Sequence, residues 1–316
     1  MARAIETEAL TKDFLVGFWR RRPYRALDAL TLQVESGDVF GFLGPNGAGK
    51  STTLKLLMQL IYPTSGAARI LGKPAGDVGV RRRIGYLAEN PYYYDYLTAE
   101  EVLAYFARLF GYSGGEVTSR VARVLDDVGI GKERRMRLRS FSKGMLQRVG
   151  LAQVLINDPE VVFLDEPMSG LDPLGRRHVR ELILRLRDRG CTVFFSSHIL
   201  SDAEALCSRV AVVAQGRLVA SGLVRELVAF DLQGWELVAA NISDDLGADL
   251  RARVRGLTPL GGGRYAIDLA PDVETPRFMA ELAGRGATIV SLNPVRETLE
   301  DYFIQHVQGA EPRRID

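Results

Sequence analysis

Residues 44–51 read Gly-Pro-Asn-Gly-Ala-Gly-Lys-Ser and directly follow the apolar run 39–43, Val-Phe-Gly-Phe-Leu. The apolar run is typical of a buried strand, and the eight residues fit the phosphate-binding pattern G-x-x-x-x-G-K-[ST]. Glycines let such a loop turn its backbone N–H groups toward a phosphate, because a side chain would block the dihedral angles that this requires. The strand, the loop and a following helix predict an α/β fold that binds a nucleoside triphosphate.

The side chains of this loop suit a triphosphate. Lys50 supplies a mobile cation for the outer phosphates, and Ser51 offers a hydroxyl oxygen to Mg²⁺. A helix is predicted from Ser51 to about residue 62, and the positive end of its dipole faces the phosphate oxygens. The residues expected to bind the nucleotide here are Asn46, Gly47, Ala48, Gly49, Lys50, Ser51 and Thr52.

The composition is that of an ordinary globular protein. The chain has 316 residues, of which 47% are hydrophobic and 25% are charged, and this length suits one large and one small domain. The sequence shows neither an uncharged apolar segment of about 18 residues nor a signal-peptide core, so we expect a cytosolic chain. Cys191 and Cys207 match no metal or redox spacing and are expected to be reduced, packed thiols.

The charge is unevenly distributed. The net charge is +2, which argues against a protein built to bind nucleic acid. Residues 226–316 contain nine Arg and fifteen Asp or Glu and carry −6, which leaves +8 for residues 1–225. A basic first part fits a polyanionic ligand, although an Arg-rich composition with solvated faces explains it equally well.

Strand and helix patterns alternate along residues 1–225. This alternation predicts a largely parallel sheet with helices on its faces, interrupted by a helical insertion at about residues 92–150. The predicted strands lie near 39–43, 84–87, 161–165, 192–197 and 209–214. The predicted helices lie near 51–62, 99–110, 119–128, 143–157 and 174–189.

The pattern changes after Gly222. Residues 226–316 predict a small α+β domain, with a ferredoxin-like fold as one candidate. Its hairpin turn is expected at residues 261–263, Gly-Gly-Gly. The predicted strands lie near 236–241, 264–269 and 287–292, and the predicted helices near 275–284 and 297–307.

An apolar strand that ends in two acids forms a second motif, residues 161–166, Val-Val-Phe-Leu-Asp-Glu. Asp165 at such a strand end can hold Mg²⁺ through water, and Glu166 can orient or deprotonate the attacking water. Taken alone, such acids usually begin solvated loops. Together with the loop at residues 44–51, the catalytic interpretation is favoured.

Further motifs follow a fixed order. Residues 141–148 read Phe-Ser-Lys-Gly-Met-Leu-Gln-Arg, where Ser142 suits a helix N-cap. Residues 169–172, Ser-Gly-Leu-Asp, follow the acids, and His198 ends the next strand. In this order, the motifs resemble those of the nucleotide-binding subunit of an ATP-binding cassette (ABC) transporter over about residues 1–225.

The resemblance implies a P-loop NTPase (RecA-like) core that carries a helical insertion subdomain and binds ATP and Mg²⁺. In that family, two domains sandwich two ATP molecules head to tail. Ser142 and Gly144 would then touch the γ-phosphate bound by the partner chain, and Asp172 would lie in the loop that couples the two sites. His198 would hold the γ-phosphate and the water, although a lone histidine at a strand end is more often structural.

The sequence departs from the family pattern at the start of the helix that follows Ser142 and at the expected metal site. Lys143 and Met145 replace the common glycine and glutamine. Glu89 stands where the family usually has a glutamine, and a carboxylate there can also bind Mg²⁺. Metal ligation is therefore assigned to Ser51, Glu89 and Asp165.

The adenine contact has two candidates. The family stacks adenine on an aromatic residue soon after the first strand, and Phe14 occupies that place. An insertion, residues 18–25 (Phe-Trp-Arg-Arg-Arg-Pro-Tyr-Arg), makes Tyr24 a competitor. The insertion itself suits an exposed hairpin tip, and the alternative is contact with lipid headgroups.

The function implied is an ATPase subunit that dimerises on ATP, in a homodimer, and drives a separate integral membrane permease from the cytoplasmic face of the membrane. Residues 297–303 are similar to the ends of ATPases of ABC-2 type exporters. Tyrosines at 92–96 lie where a permease helix docks in that family, or they pack inside the insertion. The alternative function is a soluble cassette ATPase with a non-transport partner.

Overall fold

The computed structural model describes residues 2–17, 22–227, 232–296 and 298–307. The chain divides into a first compact unit, which runs to Val224 and takes up the chain again from Phe303, and a second that spans Arg225–Tyr302. The predicted insertion at the hairpin tip falls partly on residues 18–21, which lie outside the described residues, as does Glu297. No helix in the described ranges is long and apolar enough to cross a membrane.

The first unit mixes strands and helices, as the alternating pattern predicts. Its strands are β1 (Arg3–Val16), β2 (Arg22–Glu35), β3 (Val39–Leu43), β4 (Ser65–Ile70), β5 (Lys73–Pro74), β6 (Ile84–Leu87), β7 (Val161–Asp165), β8 (Thr192–Ser197), β9 (Arg209–Ala214) and β10 (Arg217–Leu223). Its helices are α1 (Lys50–Leu57), α2 (Val78–Arg81), α3 (Ala99–Leu109), α4 (Gly114–Asp127), α5 (Lys143–Leu155), α6 (Pro173–Asp188) and α7 (Leu200–Leu206), with a 3₁₀ turn at Leu138–Ser140. Helix α8 (Val224–Leu227) lies at the boundary.

The central sheet has the order β10-β9-β3-β8-β7-β6, and its strands run parallel except β10. Strands β3, β7 and β8 are buried along their whole length, which is why they read as continuous apolar runs. The rings of Phe42 and Phe163 each lie within 6 Å of the Phe194 ring. Because the carboxyl ends of these parallel strands share one edge, the loops that follow them meet there.

A second sheet in the first unit is antiparallel, with the order β2-β1-β4-β5. The sequence analysis does not predict it, because the alternation of apolar residues is interrupted. Ala9 and Ala29 adopt positive φ angles of 45° and 50°, and the pairing of β1 with β2 shifts between Thr7 and Leu10. Such bulges change which face a side chain occupies, so no regular period of two survives.

The helical insertion comprises α3, α4 and the start of α5. Thr98 and Glu101 form a capping box at the start of α3, which places that helix where its pattern predicts. Helix α4 begins earlier than predicted, and α1 ends at Leu57 rather than near residue 62. Gln59 has a φ of 50°, a left-handed conformation that stops the helix.

The second unit has the element order βαββαβ with all pairs antiparallel, which is a ferredoxin-like topology. The sheet order is β12-β13-β11-β14. Its elements are β11 (Leu232–Ala240), α9 (Asp244–Arg253), β12 (Gly256–Gly261), β13 (Arg264–Leu269), α10 (Thr275–Gly284) and β14 (Thr288–Arg296), and α11 (Leu299–Val307) follows. The sequence analysis misses α9 and β12, because α9 is mostly polar and β12 is a largely exposed edge strand containing Pro259.

Candidate active site

The loop between β3 and α1 forms a cradle for an anion. Lys50 opens α1 and is 5% exposed; its Nζ donates to the carbonyl oxygens of Gly44 at 2.7 Å and Pro45 at 3.2 Å. Gly49 precedes the helix with a φ of 102°, and a Cβ there would lie 2.6 Å from the Ala26 carbonyl oxygen. No side chain caps this helix start, so its backbone N–H groups are free to hold phosphate oxygens.

Ser51 and Asp165 come together at the carboxyl end of β7. The Ser51 hydroxyl donates to Oδ1 of Asp165 at 3.2 Å, and Asp165 is 3% exposed. A hydroxyl and a carboxylate are the hard oxygen donors that Mg²⁺ prefers. No cluster of three His, Cys, Asp or Glu residues that could hold a metal exists among the described residues, so a cation here would also need phosphate oxygens and water.

Glu166 lies between a cation and an imidazole. Its Oε1 is 3.2 Å from Nζ of Lys50, and its Oε2 is 2.8 Å from Nδ1 of His198. The residue is 7% exposed and adopts a φ of 49°, which is rare for a residue other than glycine. Strained backbone of this kind persists only where the surroundings hold it, and it is frequent at catalytic sites.

Lys50, Ser51, Glu166 and His198 line one open cleft of about 570 Å³. Glu89 follows β6 and reaches the cleft as an exposed carboxylate, which suits its predicted role at the metal. Tyr86 lies nearby, and burial together with the charge of Asp165 raises the pKa of its phenol to about 12. The lining residues are Phe14, Tyr24, Ala26, Asn46, Gly47, Gly49, Lys50, Ser51, Thr52, Glu89, Glu166, Ser169 and His198.

Both aromatic candidates for adenine stacking reach this cleft. Phe14 and Tyr24 are cross-strand partners on β1 and β2. Phe14 is partly buried and lies 5.0 Å from the Lys12 ammonium, measured to the ring centroid, whereas Tyr24 is 47% exposed. Ala48, also predicted to bind the nucleotide, is buried at 2% exposure and does not line the cleft.

The predicted partner-facing residues lie elsewhere in the first unit. Ser142 caps α5, because its hydroxyl accepts a hydrogen bond from the Met145 N–H at 3.3 Å. Neither Ser142 nor Gly144 is among the described residues that line the cleft. Asp172 caps α6, where it accepts from the Gly175 N–H at 2.8 Å.

The tyrosine-rich segment contains both exposed and partly buried side chains. Tyr92 is 91% exposed, and Tyr94 and Tyr96 are also exposed. Tyr93 packs inward and donates its hydroxyl to Oε1 of Gln153 at 2.7 Å. Burial raises the pKa of the Tyr93 phenol above its ordinary value, so it remains a neutral donor.

Sequence reasoning misses Ser196. Its hydroxyl donates to Oδ1 of Asp165 at 2.6 Å and accepts a hydrogen bond from the Glu166 N–H at 2.9 Å. Ser196 pairs with Asp165 across β8 and β7. Its position two residues before His198 on an apolar strand is the one available signal, but the strand pairing that makes it meaningful cannot be derived from the sequence.

The sequence matches one family model and is similar to several known proteins. Residues 27–169 match the family model described as ABC transporter. An uncharacterized ABC transporter ATP-binding protein from Synechocystis is 44% identical over 309 residues, which cover 97% of this chain and 85% of that protein. Bacitracin transport ATP-binding protein BcrA from Enterococcus faecalis is 32% identical over 319 residues, which cover 98% of each chain.

The fold is also similar to that of solved structures. A dimeric post-hydrolysis state of the ATP-binding cassette MJ0796, bound to ADP and Pi, matches with a TM-score of 0.64 and 25% sequence identity. The match covers 70% of this chain and 99% of that chain.

Proposed function

This chain belongs to the ABC transporter family of ATP-binding proteins, and from that premise we propose that two copies close on ATP and drive a separate membrane permease. The ATPase activity expected from the motifs is that of the family. The observation that carries the proposal is the convergence of Lys50, Ser51, Asp165, Glu166 and His198 at one edge of the central sheet. We assign residues 1–225 to the nucleotide-binding domain, with the helical insertion at about 92–150, and residues 226–316 to an accessory domain.

The cradle binds the triphosphate through the Lys50 ammonium and the backbone N–H groups of the loop residues that line the cleft, whereas the Ala48 N–H already donates to the Pro45 carbonyl oxygen at 3.2 Å. Ser51, Asp165 and Glu89 would hold Mg²⁺, which fits the oxygen donors present; when bound, it neutralises charge on the β- and γ-phosphate oxygens. Phe14 stacks on adenine, with Tyr24 beside it on the same pair of strands.

Glu166 acts as the general base. Its carboxylate takes a proton from the attacking water as that water's oxygen bonds to the γ-phosphorus. The bond from the γ-phosphorus to the bridging oxygen breaks, which leaves ADP and inorganic phosphate. His198 is 2.8 Å from the same carboxylate and orients both the acid and the water.

A second copy completes each site. Ser142 and Gly144 begin a 13-residue helix whose first turn contains no acidic side chain, so this helix start can accept an anion from outside the chain. The anion is the γ-phosphate held by the partner copy, and Asp172 lies in the loop between the two sites.

The permease is a separate polypeptide, and we place the ATPase at the cytoplasmic face of the membrane. Similarity over the full chain to a bacitracin transport protein supports a transport role, and we favour export of the ABC-2 type. Purification of the tagged chain from detergent-solubilised membranes should recover an integral membrane subunit. Recovery of soluble partners alone would favour the non-transport alternative.

Glu166→Gln tests the mechanism. The amide cannot accept the proton, so turnover should fall by about 100-fold or more while ATP still binds. The variant should elute as an ATP-dependent dimer on size-exclusion chromatography, and Glu181→Gln, an exposed change on α6, should not. A persistent monomer with normal turnover would contradict both the base and the sandwich.

A further inference from the structure

Gln147 connects helix α5, which Ser142 caps, to the loop that follows Glu166. Its Nε2 donates to the carbonyl oxygen of Pro167 at 3.1 Å, and the side chain is 3% exposed. A buried hydrogen bond of this kind is costly to lose, because the carbonyl would then be left without a partner away from water.

This bond acts close to the strained backbone of Glu166. The Glu166 N–H is fixed by the Ser196 hydroxyl at 2.9 Å, on the side of β8. On the other side, the chain continues into Pro167, whose ring fixes its own φ and whose carbonyl is held by Gln147. The positive φ of Glu166 therefore lies between two anchors, one on the sheet and one on α5.

Two further contacts join the same helix face to the same loop. Lys143 lies one helical turn before Gln147, and its Nζ is 2.5 Å from the point that a Cβ on Gly170 would occupy. The Cδ2 atom of Leu171 is 3.6 Å from the corresponding point on Gly144. The first two turns of α5 and residues 167–171 thus lie against each other at three positions.

We infer that Gln147 is a positioning residue for Glu166, and that it links the phosphate-contacting start of α5 to the acid of the same chain. This rests on the proposed function, in which Ser142 and Gly144 touch the partner's nucleotide and Glu166 is the base. In each chain, the start of α5 contacts the nucleotide held by the partner, while Glu166 acts on the nucleotide held by its own chain. When the partner's γ-phosphate displaces the start of α5, Gln147 transmits that displacement to Glu166 of the same chain.

The test is a kcat and KM comparison on the full chain. Gln147→Leu keeps a similar volume but removes the donor, and it should lower kcat by about tenfold or more while KM for ATP changes less than twofold, because Lys50 is untouched. Gln153→Leu is the matched control, since Gln153 lies on the same helix and bonds Tyr93 instead. Near-native kcat in the control excludes a general effect on α5.

Gln147→Glu adds a readout that loss of packing would not produce. A buried glutamate beside a carbonyl can donate only when protonated, and burial raises its pKa. The ratio of its kcat to that of the wild type should therefore rise as pH falls, whereas the ratio for Gln147→Leu should stay flat. Gln147→Glu also tests the inference if Gln147→Leu folds poorly.

Wild-type kcat in Gln147→Leu, equal losses in Gln147→Leu and Gln153→Leu, or a flat ratio for Gln147→Glu would each overturn the inference. Glu166→Gln is measured in parallel. If that variant turns over normally, the proposed base is wrong. If it traps the ATP dimer while Gln147→Leu retains full turnover, only the role of Gln147 is wrong.

Discussion

The Nζ of Lys50 lies 3.2 Å from Oε1 of Glu166, and both side chains are less than a tenth exposed. The cation proposed to bind phosphate and the acid proposed to activate water are thus in direct contact. A triphosphate offers Lys50 a competing anion, so its binding is expected to weaken this pair and leave Glu166 to His198 and the attacking water. Under the proposed mechanism, one ammonium group therefore links nucleotide binding to activation of the base.

This pair predicts a specific coupling in stability. Lys50→Met leaves a buried carboxylate without its cation and should lower the free energy of unfolding by about 3–5 kcal/mol. Adding Glu166→Gln should recover part of that loss, because the amide carries no charge. Urea unfolding without nucleotide measures both variants and the double variant. Arg177→Met, which breaks an exposed ion pair with Glu181, should change the free energy of unfolding little. If the losses of the Lys50 and Glu166 variants simply add in the double variant, the two residues are not coupled.

Adenine stacking predicts different effects at the two aromatic residues. Stacking is worth roughly 1–3 kcal/mol per base, so Phe14→Ala should weaken ATP binding by about 5- to 150-fold. Tyr24→Ala should weaken it less, since that ring lies further into solvent. Titration with a fluorescent ATP analogue provides the measurement. A larger loss for Tyr24→Ala would transfer the role to Tyr24.

A composite site predicts complementation between inactive chains. Glu166→Gln lacks the proposed base but keeps the start of α5 intact, whereas Ser142→Glu places a carboxylate against the partner's phosphate. Each of the two variants should lack ATPase activity on its own. When they are mixed before ATP is added, one site per mixed dimer has both an unchanged Glu166 and an unchanged partner Ser142, and random pairing should restore at most about a quarter of the wild-type ATPase rate. If mixing restores nothing, Ser142 does not act on the partner's nucleotide.

The two cysteines predict a pH dependence. Burial raises the pKa of the Cys191 thiol to about 12 and that of the Cys207 thiol well above its ordinary value. The thiolate is the reactive form, so at pH 8 the native protein should react slowly with a disulfide reagent, while the urea-unfolded chain reacts at both positions. Because the folded state holds these protons more tightly, its stability should decline as pH rises from about 9 toward 12. Rapid native labelling at pH 8 would show that the thiols are not packed.

Much of the fold is readable in the sequence, because the central strands are buried on both faces. Strands β3, β7 and β8 appear as unbroken apolar runs at their observed positions, and the helical pattern near 99–110 coincides with α3. The sequence analysis misses the antiparallel sheet and α9, because their apolar residues form neither an unbroken run nor a regular period. Bulges at Ala9 and Ala29 remove the alternation of β1 and β2, and the polarity of α9 hides its buried face.

The sequence by itself determined the residues of the phosphate loop and the acid-terminated strand, because their chemistry is encoded within a few consecutive positions. Gly49 supplies the backbone angles of the loop, and Lys50 and Glu166 supply the charges that the proposed function uses. Only the tertiary structure decided that Lys50 contacts Glu166, that Ser196 binds Asp165 and that Gln147 holds the Pro167 carbonyl. These contacts join residues far apart in the chain, and they depend on the order of strands in the sheet and on how α5 packs against the loop, which no local pattern specifies.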